Sequence, residues 1–223
     1  MTYALVVLVG IMAVVVGWLV RQTLNVEPWL EQRPVDMVSG DGAFALPPVK
    51  VGLGVFLAVA TSLFALLISA YHMRMVGEDW ARLALPSVLW LNTGVLILAS
   101  VAMQWTRAAA RREQLDNVKS GLIAAGVLSF GFLAGQLWAW QQMDAAGYFL
   151  SANPANAFFY LLTAVHGLHL LGGLWVWART TGRALRGADS RAIRLSVELC
   201  TVYWHYLLAV WVVLFAVLLY TRK

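Results

Sequence analysis

Residues 156–178 read NAFFYLLTAVHGLHLLGGLWVWA, an unbroken run without Asp, Glu, Lys or Arg. A helix crosses the hydrocarbon core of a bilayer, about 30 Å thick, with about 20 apolar residues. This stretch is long enough and apolar enough to be such a span. His166 and His169 stand three apart within it, close to one helical turn, and so share a face. A polar pair inside hydrocarbon is expensive and asks for partners.

Five further stretches have the same character: 3–20, 51–71, 86–106, 121–140 and 197–220. All six prolines fall between the six stretches or in a first turn, where proline costs least. Trp18, Trp29, Trp80, Trp90, Trp105, Trp138, Trp140, Trp175 and Trp177 lie near span ends, as in an aromatic belt. The expected fold is therefore all-α, a polytopic transmembrane bundle of six spans in a single domain over 1–223. A large soluble helical core would need more polar faces than these runs contain.

Composition agrees. The chain is 61% hydrophobic and 12% charged, against about 25% charged in globular proteins. The net charge of +5 needs no nucleic-acid partner, because basic loops on one membrane side account for it. The single cysteine, Cys200, excludes an internal disulfide and a cysteine-based zinc site. No basic segment precedes 3–20, and no small-residue cleavage site precedes Arg21, so this span is expected to stay uncleaved.

Loop charges set the orientation. Twelve of the 16 Lys and Arg lie in the loops 21–50, 107–119 and 179–194. The opposite side holds only Arg74, Arg82, Arg222 and Lys223. The first set is expected to be cytoplasmic, with both termini outside. Six spans also place both termini on one side. No internal repeat, low-complexity run or soluble domain interrupts the pattern.

The chain has no phosphate-binding glycine loop and no nucleophile–base motif. The informative residues are the polar ones inside spans: Asn92, Gln104, Gln136, Gln141, His166, His169, Glu198 and His205. At about 1.5 Å per residue, His166 lies about 15 Å and His169 about 20 Å from the outer edge. His205 lies about 12 Å from the inner edge, level with His169. Glu198, seven residues before His205, shares its face. A cross-helix cluster of His169, His205 and Glu198 follows as one arrangement. It has two readings: axial ligation of one b-type haem by His169 and His205, or hydrogen bonding that ties helices together or meets lipid headgroups. A small membrane carrier is a third class, but the spans hold no Asp, Lys or Arg at depth. Gly131 and Gly135 form a GxxxG pair, and Gly167, Gly172 and Gly173 allow similar close helix approach.

Several segments carry a resemblance. FFYLLTAVHGLHLLGG (158–173) resembles the signature helix of subunit III of haem-copper terminal oxidases, of bacterial type. LPSVLWLNTGVLILAS (85–100), GQLWAWQQMDAAGYFLSANP (135–154) and VELCTVYWHYLLAVWVVLFAVLLY (197–220) resemble further helices of that family, in the right order. FLAVATSLFALLISAY (56–71) is similar to the helix before them. The resemblance covers about 50–221. It implies a five-helix core over 51–223, with 1–50 supplying an extra N-terminal span and a cytoplasmic loop.

The resemblance also implies a role. The chain would be a non-catalytic subunit of a proton-pumping cytochrome c or quinol oxidase in the bacterial cytoplasmic membrane. It would pack on subunit I, with subunit II in the same complex, and hold phospholipids. It would support proton uptake and stable turnover. No cofactor or metal is implied in this chain, since haems and copper belong to the partner subunits. His166, His169, Glu198, Trp204 and His205 become structural or lipid-facing positions, and Gly131, Gly135, Gly167 and Gly172 helix-packing positions. Three positions depart from the family pattern: Ala60, Ala139 and Leu208 stand where many members carry carboxylates.

Overall fold

The structure is a computed structural model, and it describes residues 48–77, 79–80, 83, 85–187 and 190–220. Five helices occupy them: α1 (Pro48–Arg74), α2 (Val88–Arg111), α3 (Leu115–Ala145), α4 (Pro154–Leu185) and α5 (Ser190–Tyr220). Each is long and apolar enough to cross a membrane. The expected span 3–20 lies outside the described residues, so the six-span reading stands at five helices among them.

The helices outrun the apolar stretches that locate them. α3 begins at Leu115 and α4 runs on to Leu185, so polar turns such as 115–120 and 179–185 are helical, not loop. The ends follow local chemistry. Asn153 caps α4, its side-chain oxygen accepting from Ala155 N at 2.9 Å, with Pro154 in the first turn. α3 closes with Gly147 at φ 83°. There Tyr148 N bonds Met143 O and Gly147 N bonds Asp144 O, a Schellman closure. α2 closes the same way through Glu113, at φ 57°.

The chain falls into two compact units, Met1–Thr61 and Ser62–Lys223. In the first, the described residues form the first half of α1. In the second, α2 packs on α3 and α5, and α4 packs on α3 and α5, so four helices close into a ring. Glycines set the tightest approaches. A Cβ on Gly126 would overlap the Trp177 indole, one on Gly135 the Asn92 amide, and one on Gly173 the Tyr203 ring. The expected packing glycines divide accordingly. Gly135 is at a close contact. Gly131 and Gly167 meet only ordinary van der Waals neighbours at 3.8 and 3.9 Å, and Gly172 has nothing within 4 Å.

The core of the ring is aromatic. Trp204, Trp211, Phe132 and Phe159 are fully buried. Phe132 meets Trp211 edge to face with ring centroids 5.0 Å apart.

Candidate functional site

Three of the expected polar residues, Gln104, Glu198 and His205, meet along the seam between α2 and α5. Ser100, Gln104, Arg107 and Arg111 recur on α2 at helical spacing and make one stripe. Glu198, Thr201 and His205 make the matching stripe on α5. The helices are antiparallel, so each step toward the C-terminus of α2 meets a step toward the N-terminus of α5. Ser100 Oγ bonds His205 Nδ1, and Gln104 Oε1 lies 3.2 Å from His205 Nε2. Thr201 Oγ1 lies 3.1 Å from Met103 O and 2.8 Å from Val197 O. Arg107 donates to Glu198 at 2.8 Å, and Arg111 stands 3.9 Å from the same carboxylate oxygen. The same register continues toward the N-terminus of α2, where Trp211 Nε1 donates to Thr93 Oγ1 at 3.0 Å.

Arg107 is 8% exposed. A buried guanidinium is tolerable only when a carboxylate offsets its charge. Glu198 does that, while Arg111 leaves this end of the seam with one cation in excess. Thus Glu198 and His205 share a face, as expected, but that face is turned to α2.

The α4 histidines lie elsewhere. His166 is fully buried, with its ring 5.2 Å from Trp211, 5.8 Å from Phe132 and 6.4 Å from Phe64. His169 packs on Phe64 at 5.1 Å, and its Nδ1 lies 2.8 Å from Val165 O of its own helix. Its backbone carbonyl accepts from Tyr203 OH at 2.8 Å. The arrangement of His169, His205 and Glu198 as one cluster is corrected: His205 and Glu198 bond to α2, and the His169 ring lies against α1. The residues also do not fit a bis-histidine haem. Both His205 nitrogens are engaged by α2 side chains, which leaves no free nitrogen for axial ligation. Among the described residues, no group of three or more His, Cys, Asp or Glu is placed to hold a metal.

Four tryptophans tie the ring together. Trp140 Nε1 donates to Thr163 Oγ1 at 3.0 Å, and Trp177 Nε1 to Leu122 O at 2.9 Å. Trp204 Nε1 donates to Ser129 Oγ at 2.9 Å, and Trp211 to Thr93 as above. Each bond crosses between helices. Asn92 adds another, donating to Phe132 O at 3.1 Å and Gln136 Oε1 at 3.4 Å. The hydroxyls of Thr93, Ser100, Ser129, Thr163 and Thr201 were not among the expected site residues. The spacing 100, 104, 107 and 111 marks the stripe only once the helix is known to run to Arg111, a stretch expected to be loop, and which helix faces it depends on packing.

The model of the family described as cytochrome c oxidase subunit III matches residues 38–222. The chain belongs to the cytochrome c oxidase subunit III family. Curated relatives agree. Cytochrome c oxidase subunit 3 of Synechocystis sp. is 31% identical over 170 residues, covering 74% of this chain and 72% of the relative. That of Thermostichus vulcanus is 27% identical over 190 residues, covering 81% and 92%. The probable subunit 3 of Mycobacterium tuberculosis is 27% identical over 183 residues, covering 78% and 88%. This subunit III is thus a multi-pass membrane protein of a respiratory oxidase family. The segments that carry the family resemblance supply helix-packing residues here: Asn92 and Thr93 on α2, Gln136 on α3, His166 on α4, and Glu198, Trp204 and His205 on α5.

Proposed function

We propose that this subunit III is a non-catalytic part of a proton-pumping haem-copper oxygen reductase. It packs on subunit I, with subunit II in the same complex, and sustains proton uptake and turnover there. The observation that carries this reading is the employment of the histidines. His205 is held at both nitrogens by α2, His169 bonds its own helix, and His166 is enclosed by three aromatic rings. Side chains that elsewhere hold redox groups are here spent on packing.

Phospholipid is the ligand class that suits the cytoplasmic end of the α2–α5 seam. Two guanidinium groups stand there against one carboxylate, and Arg111 is half-exposed. A lipid phosphate complements the excess cation. The orientation belongs to the same reading, with the 107–119 and 179–194 loops cytoplasmic and both termini outside a bacterial cytoplasmic membrane.

Purification tests the proposal. The tagged chain is expected to bring down a large haem-bearing subunit, and the isolated chain to show no Soret absorbance. A Soret band from the isolated chain, lost on His169→Ala or His205→Ala, would refute it. Removal of bound phospholipid is expected to shorten the catalytic lifetime of the complex without changing its initial rate.

A further inference from the structure

Two buried side chains inside the helix ring carry polar atoms with no hydrogen-bond partner: both ring nitrogens of His166, and Nε2 of Gln136. They sit at one level. The Trp140–Thr163 bond ties α3 to α4 just outward of them, and Leu133 lies against Gly167 just inward. Gln136 on α3 is therefore level with His166 on α4. His166 is 0% exposed and Gln136 4%, so neither reaches lipid or bulk water.

The neighbours cannot supply what is missing. The rings around His166 are Phe64, Phe132 and Trp211, and the Trp211 N–H is committed to Thr93. The Gln136 oxygen already accepts from Asn92. A neutral imidazole has one donor and one acceptor, and an amide nitrogen has two donors. Buried polar groups left wholly unpaired are rare in folded proteins, and internal water is the usual remedy where two or more such groups converge.

We propose that Gln136 and His166 form an internal hydration site that holds one water molecule in the membrane-buried core. The water accepts from Gln136 Nε2–H and donates to the unprotonated ring nitrogen of His166. The remaining imidazole N–H lies among the rings of Phe64, Phe132 and Trp211. Through Asn92, which bonds Gln136, the site links α2, α3 and α4. It belongs to this chain alone and does not depend on the oxidase reading.

Hydroxyl-radical footprinting by pulsed X-rays tests it, because bound water generates radicals beside the groups it touches. The full chain, in its purified complex in lipid nanodiscs, is exposed and its peptides are read by mass spectrometry. Trp211 and Trp204 make the comparison. Both are 0% exposed, but only Trp211 packs on His166. Trp211 is expected to be oxidised several-fold faster than Trp204, and Gln136→Met to bring the two rates together. Equal rates in the wild type would overturn the site. A fast Trp211 that persists in Gln136→Met would overturn the assigned ligand pair. The wild-type ratio decides without a variant, so a Gln136→Met chain that fails to accumulate does not shelter the proposal.

Discussion

Arg107 and Glu198 lie 91 residues apart in the chain and 2.8 Å apart in space. Their ion pair ends a polar seam that begins at Ser100 and His205 and fixes the antiparallel register of α2 against α5. The two partners are not equivalent. Arg107 is buried, whereas Glu198 keeps some exposure and has Arg111 as a second cation.

That asymmetry sets an order of effects. Glu198→Gln leaves Arg107 buried without an offsetting charge, and is expected to cost about 3 kcal/mol. Arg107→Met leaves Glu198 beside Arg111 and is expected to cost less. The double variant, with no buried charge to strand, is expected to recover much of the loss. Unfolding midpoints in detergent for the four proteins check the order. A Glu198→Gln chain as stable as wild type would show the pair to be idle.

The glycines separate by their surroundings. Gly135→Ala drives a methyl into the Asn92 amide, which holds bonds to Phe132 O and Gln136. Overpacking of this kind costs about 1–3 kcal/mol. Gly172 has open space, so Gly172→Ala is expected to be neutral or to gain about 0.5 kcal/mol from helix propensity. Thermal unfolding of the two variants side by side checks the contrast.

Glu113 holds a left-handed backbone conformation, φ 57°, at the residue that closes α2. Glycine adopts that conformation without a Cβ penalty. Glu113→Gly is expected to stabilise the α2–α3 turn by about 1 kcal/mol. A melting temperature that falls instead would count against it.

Asp79 lies outside the spans, and the hydrogen bond from Arg74 holds its carboxyl below the usual carboxylate range. A lowered folded value stabilises the charged form. Its contribution is therefore complete above the ordinary Asp value of about 3.9 and is lost as pH falls through the lowered one. Asp79→Asn is expected to leave the stability of the chain at pH 7 nearly unchanged, since the pair is exposed and screened. The small difference from wild type is expected to begin shrinking below about pH 3.9 and to vanish only below the lowered value. Stability of both proteins followed from pH 7 to pH 3 checks the sign.

The positions of the five described helices were legible because a run long and apolar enough to span a bilayer leaves little choice of structure. Their ends were not, since turns such as 115–120 carry the polar residues of a loop while remaining helical. Tryptophans illustrate the same limit. Trp138 and Trp175 point outward, at 54% and 69% exposure, as a belt requires. Trp140 and Trp177, each two residues on, are turned about 200° to the opposite face and bond neighbouring helices. Closeness to a span end was readable from order alone. The face each indole presents depends on which helix stands beside it, and so does the choice of α2 rather than α4 as the partner of His205.

Trp177 and Gly126 carry this furthest. The Trp177 indole donates to Leu122 O at 2.9 Å and lies over Gly126, where a Cβ would meet its six-membered ring. Trp177→Phe removes the donor and is expected to cost about 1 kcal/mol. Gly126→Ala, with the indole in place, is expected to cost about 1–3 kcal/mol by overpacking. Phenylalanine lacks the part of the indole that the new methyl strikes. The double variant is therefore expected to be more stable than the two losses added, by a coupling of about 1 kcal/mol. Simple additivity across the cycle would mean that the glycine serves something other than the seat of the indole.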